Sequence, residues 1–195
     1  MVCENLGRED NDYDQLLADF TEAIRLDPKD AAAYYNRGTA YSHMGSYGLA
    51  VADFTEALRL NPTCGRAYHN RGFAQTARKE YELAIADYSA ALRLDPNDAI
   101  ACNSLAWLWA VCPKDQLRDG PRAVEYARKA CELSHWMEAN YLGTLGAASA
   151  EAGQFDEALK WERMAMKDFG YVLANGEEAR QRLRLYAQKK PYRLA

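Results

Sequence analysis

Residues 31–64, AAAYYNRGTAYSHMGSYGLAVADFTEALRLNPTC, and residues 65–98, GRAYHNRGFAQTARKEYELAIADYSAALRLDPND, are one 34-residue unit written twice. Each copy carries Tyr-x-Asn-Arg-Gly early, Ala-(Val/Ile)-Ala-Asp-(Phe/Tyr) in the middle and Leu-Arg-Leu-(Asn/Asp)-Pro late. A repeat at this period is one supersecondary piece that cannot bury its apolar face alone. Neighbouring copies must stack and share a core, so any function has to be argued from the surface of the stack.

Each copy divides into two helices, here A and B. Asp30 is placed to cap a helix over 31–44, which Gly45 and Ser46 break. Tyr47–Leu60 forms the second helix, stopped by Pro62, and residues 65–78 and 81–94 repeat the pair with Pro96 as the stop. Upstream, Leu16, Leu17, Phe20, Ala23, Ile24 and Leu26 fall at helical spacing, with Asn11 and Asp12 as candidate caps. Leu16, Phe20, Ala23 and Pro28 lie 34 residues before Ala50, Phe54, Ala57 and Pro62. The stretch 13–28 is therefore expected to be a lone B helix of a partial repeat.

After Asp98 the pattern loosens. A third, divergent unit spans 99–138. Its A helix, AIACNSLAWLWAV, is almost wholly apolar, and the loop CPKDQLRDGP is an insertion that leads to a helix with Pro121 in its first turn. A fourth unit, 139–170, keeps Leu142, Leu145, Gly146, Ala158 and Ala165 in register. Residues 176–189 read as an amphipathic capping helix with Ala179, Leu183 and Tyr186 on one face. The stretch KKPYRLA after it is expected to be mobile.

Tyr34, Gly38, Tyr41, Ala50, Phe54, Ala57 and Pro62, with Tyr68, Gly72, Ala84, Tyr88, Ala91 and Pro96, resemble the tetratricopeptide repeat (TPR) pattern. The resemblance implies an all-α fold: a right-handed superhelical solenoid of antiparallel helix pairs closed by a C-terminal capping helix. It would make 1–195 a single TPR domain. The stretch WLWAVCPKDQLRDGPRAVEYARKACELS resembles TPR tails of large bacterial proteins, planctomycete-type ones in particular, which often follow a kinase. Such a motif is specific for fold and not for function.

Composition narrows the function classes. Net charge is −4, from 28 acidic and 24 basic residues, and no basic run occurs, so nucleic acid is not the expected partner. No apolar run approaches the roughly 18 residues of a membrane span, and Met1–Asp14 lacks the apolar core of a signal peptide. Five cysteines without Cys-x-x-Cys spacing fit a reduced, cytoplasmic chain. No phosphate loop, Gly-x-Ser-x-Gly elbow or His-Glu-x-x-His occurs, and His43, His69 and His135 have no partner at metal-ligand spacing. No enzyme activity, metal or cofactor is expected.

Two sets of residues stand out. Arg37 and Arg71 share one repeat position, and Asp19, Asp53 and Asp87 share another. The third and fourth units carry Leu105, Leu145, Tyr126 and Trp161 there instead. Arginine and aspartate vanish together, which suggests structural ion pairs, either within a repeat or to the preceding B helix. The alternative is that the arginines reach for an acidic ligand.

The second set is the peptide-binding groove that the resemblance implies along the A helices: Tyr35, Asn36, Thr39, His69, Asn70, Phe73, Asn103 and Trp107. Asn36 and Asn70 resemble the start of an asparagine ladder such as occurs in O-linked N-acetylglucosamine transferases, which grips peptide backbone by donating and accepting. Helix-to-helix hydrogen bonding is the alternative for them. Trp107 is either a groove anchor or core beneath the 112–120 loop or the capping helix. Tyr35 and Thr39 stand where the chaperone-tail carboxylate clamp needs Lys and Asn, so that ligand is not expected. The function expected is a protein–protein interaction scaffold holding a peptide or partner segment, with specificity around His69, Asn70, Phe73, Asn103 and Trp107. The alternatives are self-assembly through the edge of the N-terminal helix, giving a homo-oligomer, or a detached TPR tail of a larger kinase-type signalling protein.

Overall fold

The computed structural model describes residues 10–194, with side chains from residue 13. The helices are α1 (Asp10–Leu26), α2 (Ala31–His43), α3 (Tyr47–Leu60), α4 (Gly65–Ala77), α5 (Tyr81–Leu94), α6 (Ala99–Val111), α7 (Gly120–Leu133), α8 (Ala139–Glu151), α9 (Phe155–Ala165) and α10 (Phe169–Ala187). No strand occurs among the described residues, and the fold is all-α. No helix among them is long and apolar enough to cross a membrane.

The joints between repeats reuse one device. Asp27, Asn61 and Asp95 recur every 34 residues. Each side chain accepts the backbone N–H two residues on, at 2.9, 3.2 and 2.9 Å. These Asx turns, with proline next in sequence, end one helix and start the approach to the next. The caps repeat too. Asp30 Oδ1 accepts from Ala32 and Ala33 N–H, and Asp98 Oδ1 from Ile100 and Ala101 N–H. Asn11 and Asp12, expected as caps, lie inside α1.

The chain divides into two compact units, one ending at Asp87 and one starting at Tyr88, with the boundary inside α5. In the first unit α2 pairs with α3, and α1 and α4 pack on that hairpin. Ala50, Phe54 and Ala74 are fully buried beneath Tyr35, Tyr41, Tyr47 and Val51. A Cβ on Gly38 would lie 3.0 Å from the Phe54 ring, so glycine lets α2 lie down on that ring.

In the second unit α6–α7 and α8–α9 are hairpins, α7 and α6 pack on α8, and α10 lies across α9 and α8. Alanines do the close packing: Ala106, Ala123, Ala127, Ala148, Ala158 and Ala179 are all fully buried. At Gly120 an added Cβ would come 2.8 Å from the Ala152 backbone, so the start of α7 can approach the end of α8 only with glycine there.

The end of α6 explains the loop and the last residues together. A helix leaves its final carbonyls without intrahelical donors. Here Leu108 O accepts Cys112 N–H and Trp109 O accepts Asp119 N–H. Val111 O accepts Leu194 N–H, and Ala110 O accepts Arg193 Nη1. Arg118 from the loop donates to Cys112 O at 2.9 Å. Arg118 and Arg193 then close on Glu151 of α8 at 3.0 and 2.6 Å. The segment 190–194, expected to be mobile, is docked, with Tyr192 only 9% exposed. The capping helix also differs from expectation. It starts at Phe169, where Asp168 accepts Tyr171 N–H, seven residues before the expected start.

Cys102, Cys112 and Cys131 are fully buried in the second unit, whereas Cys64 is half-buried at the start of α4. Burial pushes the Cys102 thiol up to about 11 and the Cys131 thiol up to about 12. The thiolate is the reactive form. In a Cys3→Ser variant, iodoacetamide at pH 8 should label Cys64 and spare Cys102, Cys112 and Cys131 until urea unfolds the chain. Peptide mass mapping checks this; native labelling of Cys131 as fast as Cys64 would contradict the packing described.

Candidate functional site

In the first unit the two arginines are spent on structure. Arg37 Nε and Nη2 donate to Asp53 Oδ2 and Oδ1 at 2.7 and 2.8 Å. Arg71 makes the same fork with Asp87, at 2.7 Å in both arms. The remaining Nη1 reaches the preceding B helix, to Thr21 Oγ1 at 3.2 Å for Arg37 and to Thr55 Oγ1 at 3.1 Å for Arg71. Each guanidinium thus joins its own hairpin and the helix before it. The hydrogen bonds to Asp53 and Asp87 hold both arginines above their ordinary pKa. Asp19 takes no part in such a fork: it is exposed and accepts Gln15 Nε2 at 2.8 Å within α1. The residue one repeat before Arg37 is Cys3, which has no guanidinium to offer.

The A helices of this unit frame a cavity of about 440 Å3 lined by Thr39, His43, Tyr47, His69, Asn70 and Phe73. Phe73 is 50% exposed, its ring edge-on to Tyr47 at 6.3 Å. Asn70 is held in place. Its Nδ2 donates to the Tyr35 hydroxyl at 3.2 Å and its Oδ1 faces His69 Nδ1 at 3.3 Å. That is a helix-to-helix bond, the alternative to a ladder rung. Asn36 is exposed. Thr39 turns its hydroxyl back to Tyr35 O, and the Tyr35 ring tilts onto Phe54 at 5.9 Å.

In the second unit a cavity of about 340 Å3 opens between α6, α8 and α10, lined by Asn103, Trp107, Asn140, Asn175, Glu178 and Arg182 among others. Asn103 Oδ1 is buried without a hydrogen-bond partner. Asn175 Nδ2 donates to Asn140 Oδ1 at 3.2 Å, one amide pair spanning α8 and α10. Trp107 is half-buried, with the Arg182 guanidinium 5.7 Å from its ring and the Tyr192 ring at 6.3 Å. It is thus walled by α10 and by the docked segment.

Beneath the cavity lies a polar triad that sequence reasoning missed. Arg182 Nε and Nη2 donate to Glu162 Oε2 and Oε1 at 3.0 and 3.1 Å. Tyr171 donates its hydroxyl to Glu162 Oε1 at 2.7 Å and accepts Arg182 Nη2 at 2.7 Å. Glu162 is 0% and Arg182 3% exposed. Burial and the Glu162 charge raise the Tyr171 phenol well above its usual range, so it remains a donor. Burial opposes the Arg182 charge, but the bonds to Glu162 more than offset it and keep the guanidinium ionised. Gly143 of α8 leaves room for the Tyr171 hydroxyl; a side chain there would collide with it. The signal for the triad was present in the repeat alignment. Glu162 stands where the matched repeats carry Phe54 and Tyr88, and a carboxylate at a core aromatic position demands a buried partner.

Removing one member of such a triad strands the other charge. Glu162→Gln and Arg182→Leu should each lower unfolding free energy by about 3 kcal/mol. The double change Glu162→Leu/Arg182→Leu should cost clearly less than the two singles summed. Urea denaturation measures all of these, and strict additivity would contradict the pairing.

Comparison with known proteins agrees with this fold. A tetratricopeptide repeat family model matches residues 31–64 and 65–98, and a TPR repeat model matches residues 5–45. No curated protein matches the chain. Among solved structures, MamA is 20% identical with TM-score 0.69, covering 86% of each chain. MamA 41-end from Desulfovibrio magneticus RS-1 is 24% identical with TM-score 0.69, covering 80% of this chain and 84% of that one. YrrB, described as a TPR protein with an unusual peptide-binding site, is 22% identical with TM-score 0.68, covering 86% and 84%. At these identities the likeness is one of fold. Residues 31–64 and 65–98 are tetratricopeptide repeats, set in an all-α fold of the kind that YrrB displays.

Proposed function

We propose that the chain is a protein-interaction scaffold that holds a peptide or partner segment against its A helices, with no catalytic step of its own. The observation that carries this reading is the chemistry of the A-helix surface. In each unit the A helices line a cavity that sets at least one amide side chain, Asn70 in one and Asn103 with Asn140 in the other, beside a partly exposed aromatic, Phe73 or Trp107. Amides satisfy peptide backbone in either sense, and aromatics are the side chains that dominate interface energetics. Arg37 and Arg71 are paired with Asp53 and Asp87, which argues against them as recognition groups for an acidic ligand. YrrB, similar in fold, is described as carrying a peptide-binding site, and that supports the choice of ligand class. Buried free thiols suit a reducing, cytoplasmic setting. Self-assembly through the edge of α1 has less support, since Leu26 is the one exposed large apolar residue in that helix among the described residues.

The test is a random-peptide array probed with the wild-type chain and with Phe73→Ala and Asn36→Ala. Both side chains are exposed, so the fold should survive either change. Retained peptides should lose about tenfold in affinity with Phe73→Ala and less with Asn36→Ala. Wild-type binding unchanged by both variants and by Trp107→Ala would remove the A-helix surface as the site.

A further inference from the structure

The cavity between α6, α8 and α10 has a defined electrostatic character. Among the described residues, Glu178 and Arg182 are the charged side chains that line it. The positive charge of Arg182 is already taken up by Glu162 directly behind it, at 3.0 Å and fully buried. Glu178, on the rim, is 60% exposed and lies 3.6 Å from Arg182 Nη1, too far for a strong hydrogen bond. With Glu162 and Arg182 cancelling, the cavity keeps one net negative charge.

Its hydrogen-bonding balance leans the same way. Asn140 Oδ1 has one donor, Asn175, and keeps a lone pair. The Arg182 guanidinium, by contrast, gives Nε and Nη2 to Glu162 and Tyr171 and turns Nη1 toward Glu178. The cavity therefore offers an amide acceptor and one carboxylate to whatever enters it. Trp107 and Tyr141 supply apolar walls along which a methylene stem can lie. At about 340 Å3 it holds one long side chain and not a folded element.

We propose that this cavity takes an arginine or lysine side chain of the bound peptide, its stem along Trp107 and Tyr141, its charged head against Glu178 and an N–H donated to Asn140 Oδ1. This rests on the scaffold reading and deepens it, giving the recognised segment a basic residue. The helix that closes the stack then also selects ligand, because Asn175, Glu178 and Arg182 all come from α10.

The experiment uses the whole chain, labelled with 15N, and follows the Trp107 indole resonance during titration with N-acetyl-arginine methylamide, N-acetyl-lysine methylamide and N-acetyl-citrulline methylamide. Citrulline keeps the arginine shape without its charge. The two cationic probes should shift the resonance saturably, with citrulline at least about tenfold weaker. Glu178→Gln should weaken the arginine probe about fivefold and leave citrulline unchanged. Asn140→Ala should weaken both. Equal binding of arginine and citrulline, indifference to Glu178→Gln, or no saturable shift with any probe would overturn the proposal. A peptide array that binds the wild-type chain without enrichment of basic residues would leave the scaffold reading in place and remove this one. Probe binding with no peptide retained would do the reverse.

Discussion

A guanidinium closed on a buried carboxylate holds the layers of this protein in register. In the first unit it is Arg37 on Asp53 and Arg71 on Asp87, each a two-armed fork from an A helix to its own B helix. In the second it is Arg182 on Glu162, with the carboxylate on α9 and the guanidinium on α10. Burial of either charge alone is costly, so each fork fixes the angle and height at which its two helices meet. The third arm, Arg37 to Thr21 and Arg71 to Thr55, carries that constraint back to the preceding helix. The alanine and glycine contacts supply closeness but little direction; the forks supply direction.

The groove chemistry follows from that placement. With B helices locked behind them, the A helices turn Thr39, His69, Asn70 and Phe73 into one cavity and Asn103 and Trp107 into another. The second cavity also depends on how α6 ends. Its last carbonyls are met by Asp119 from the loop and by Arg193 and Leu194 from the docked segment. That brings Tyr192 beside Trp107 and Arg182. A stretch after the final helix, distant in sequence, thus packs beside Trp107 and Arg182 of that cavity.

Much of this was legible before any coordinates. The 34-residue period gave the helices, and the joint disappearance of Arg and Asp in the later units pointed to their pairing. What was hidden has physical reasons. Asp19 carries the repeat letter without its partner: Cys3 stands one repeat before Arg37, and only a pair to the preceding B helix would have given Asp19 to Arg37. Asn70 looked free to bind ligand, but the hydroxyl that holds it belongs to Tyr35, a residue assigned to the same groove. The segment around Tyr192 looked mobile because its anchors are orphan carbonyls, which no side-chain pattern displays. Glu162 is hard to read from sequence because its partners, Tyr171 and Arg182, lie on α10, outside the 34-residue period.

Amide hydrogen exchange tests the account most directly. It would be read by mass spectrometry on the whole chain with and without saturating amounts of a peptide retained from the array. Ligand held on the A-helix face should slow exchange in α2, α4, α6, α8 and the middle of α10, with α3, α7 and α9 unchanged. Protection confined to the B helices, or none at saturation, would contradict the claim that fork-locked layers present their A helices to a peptide.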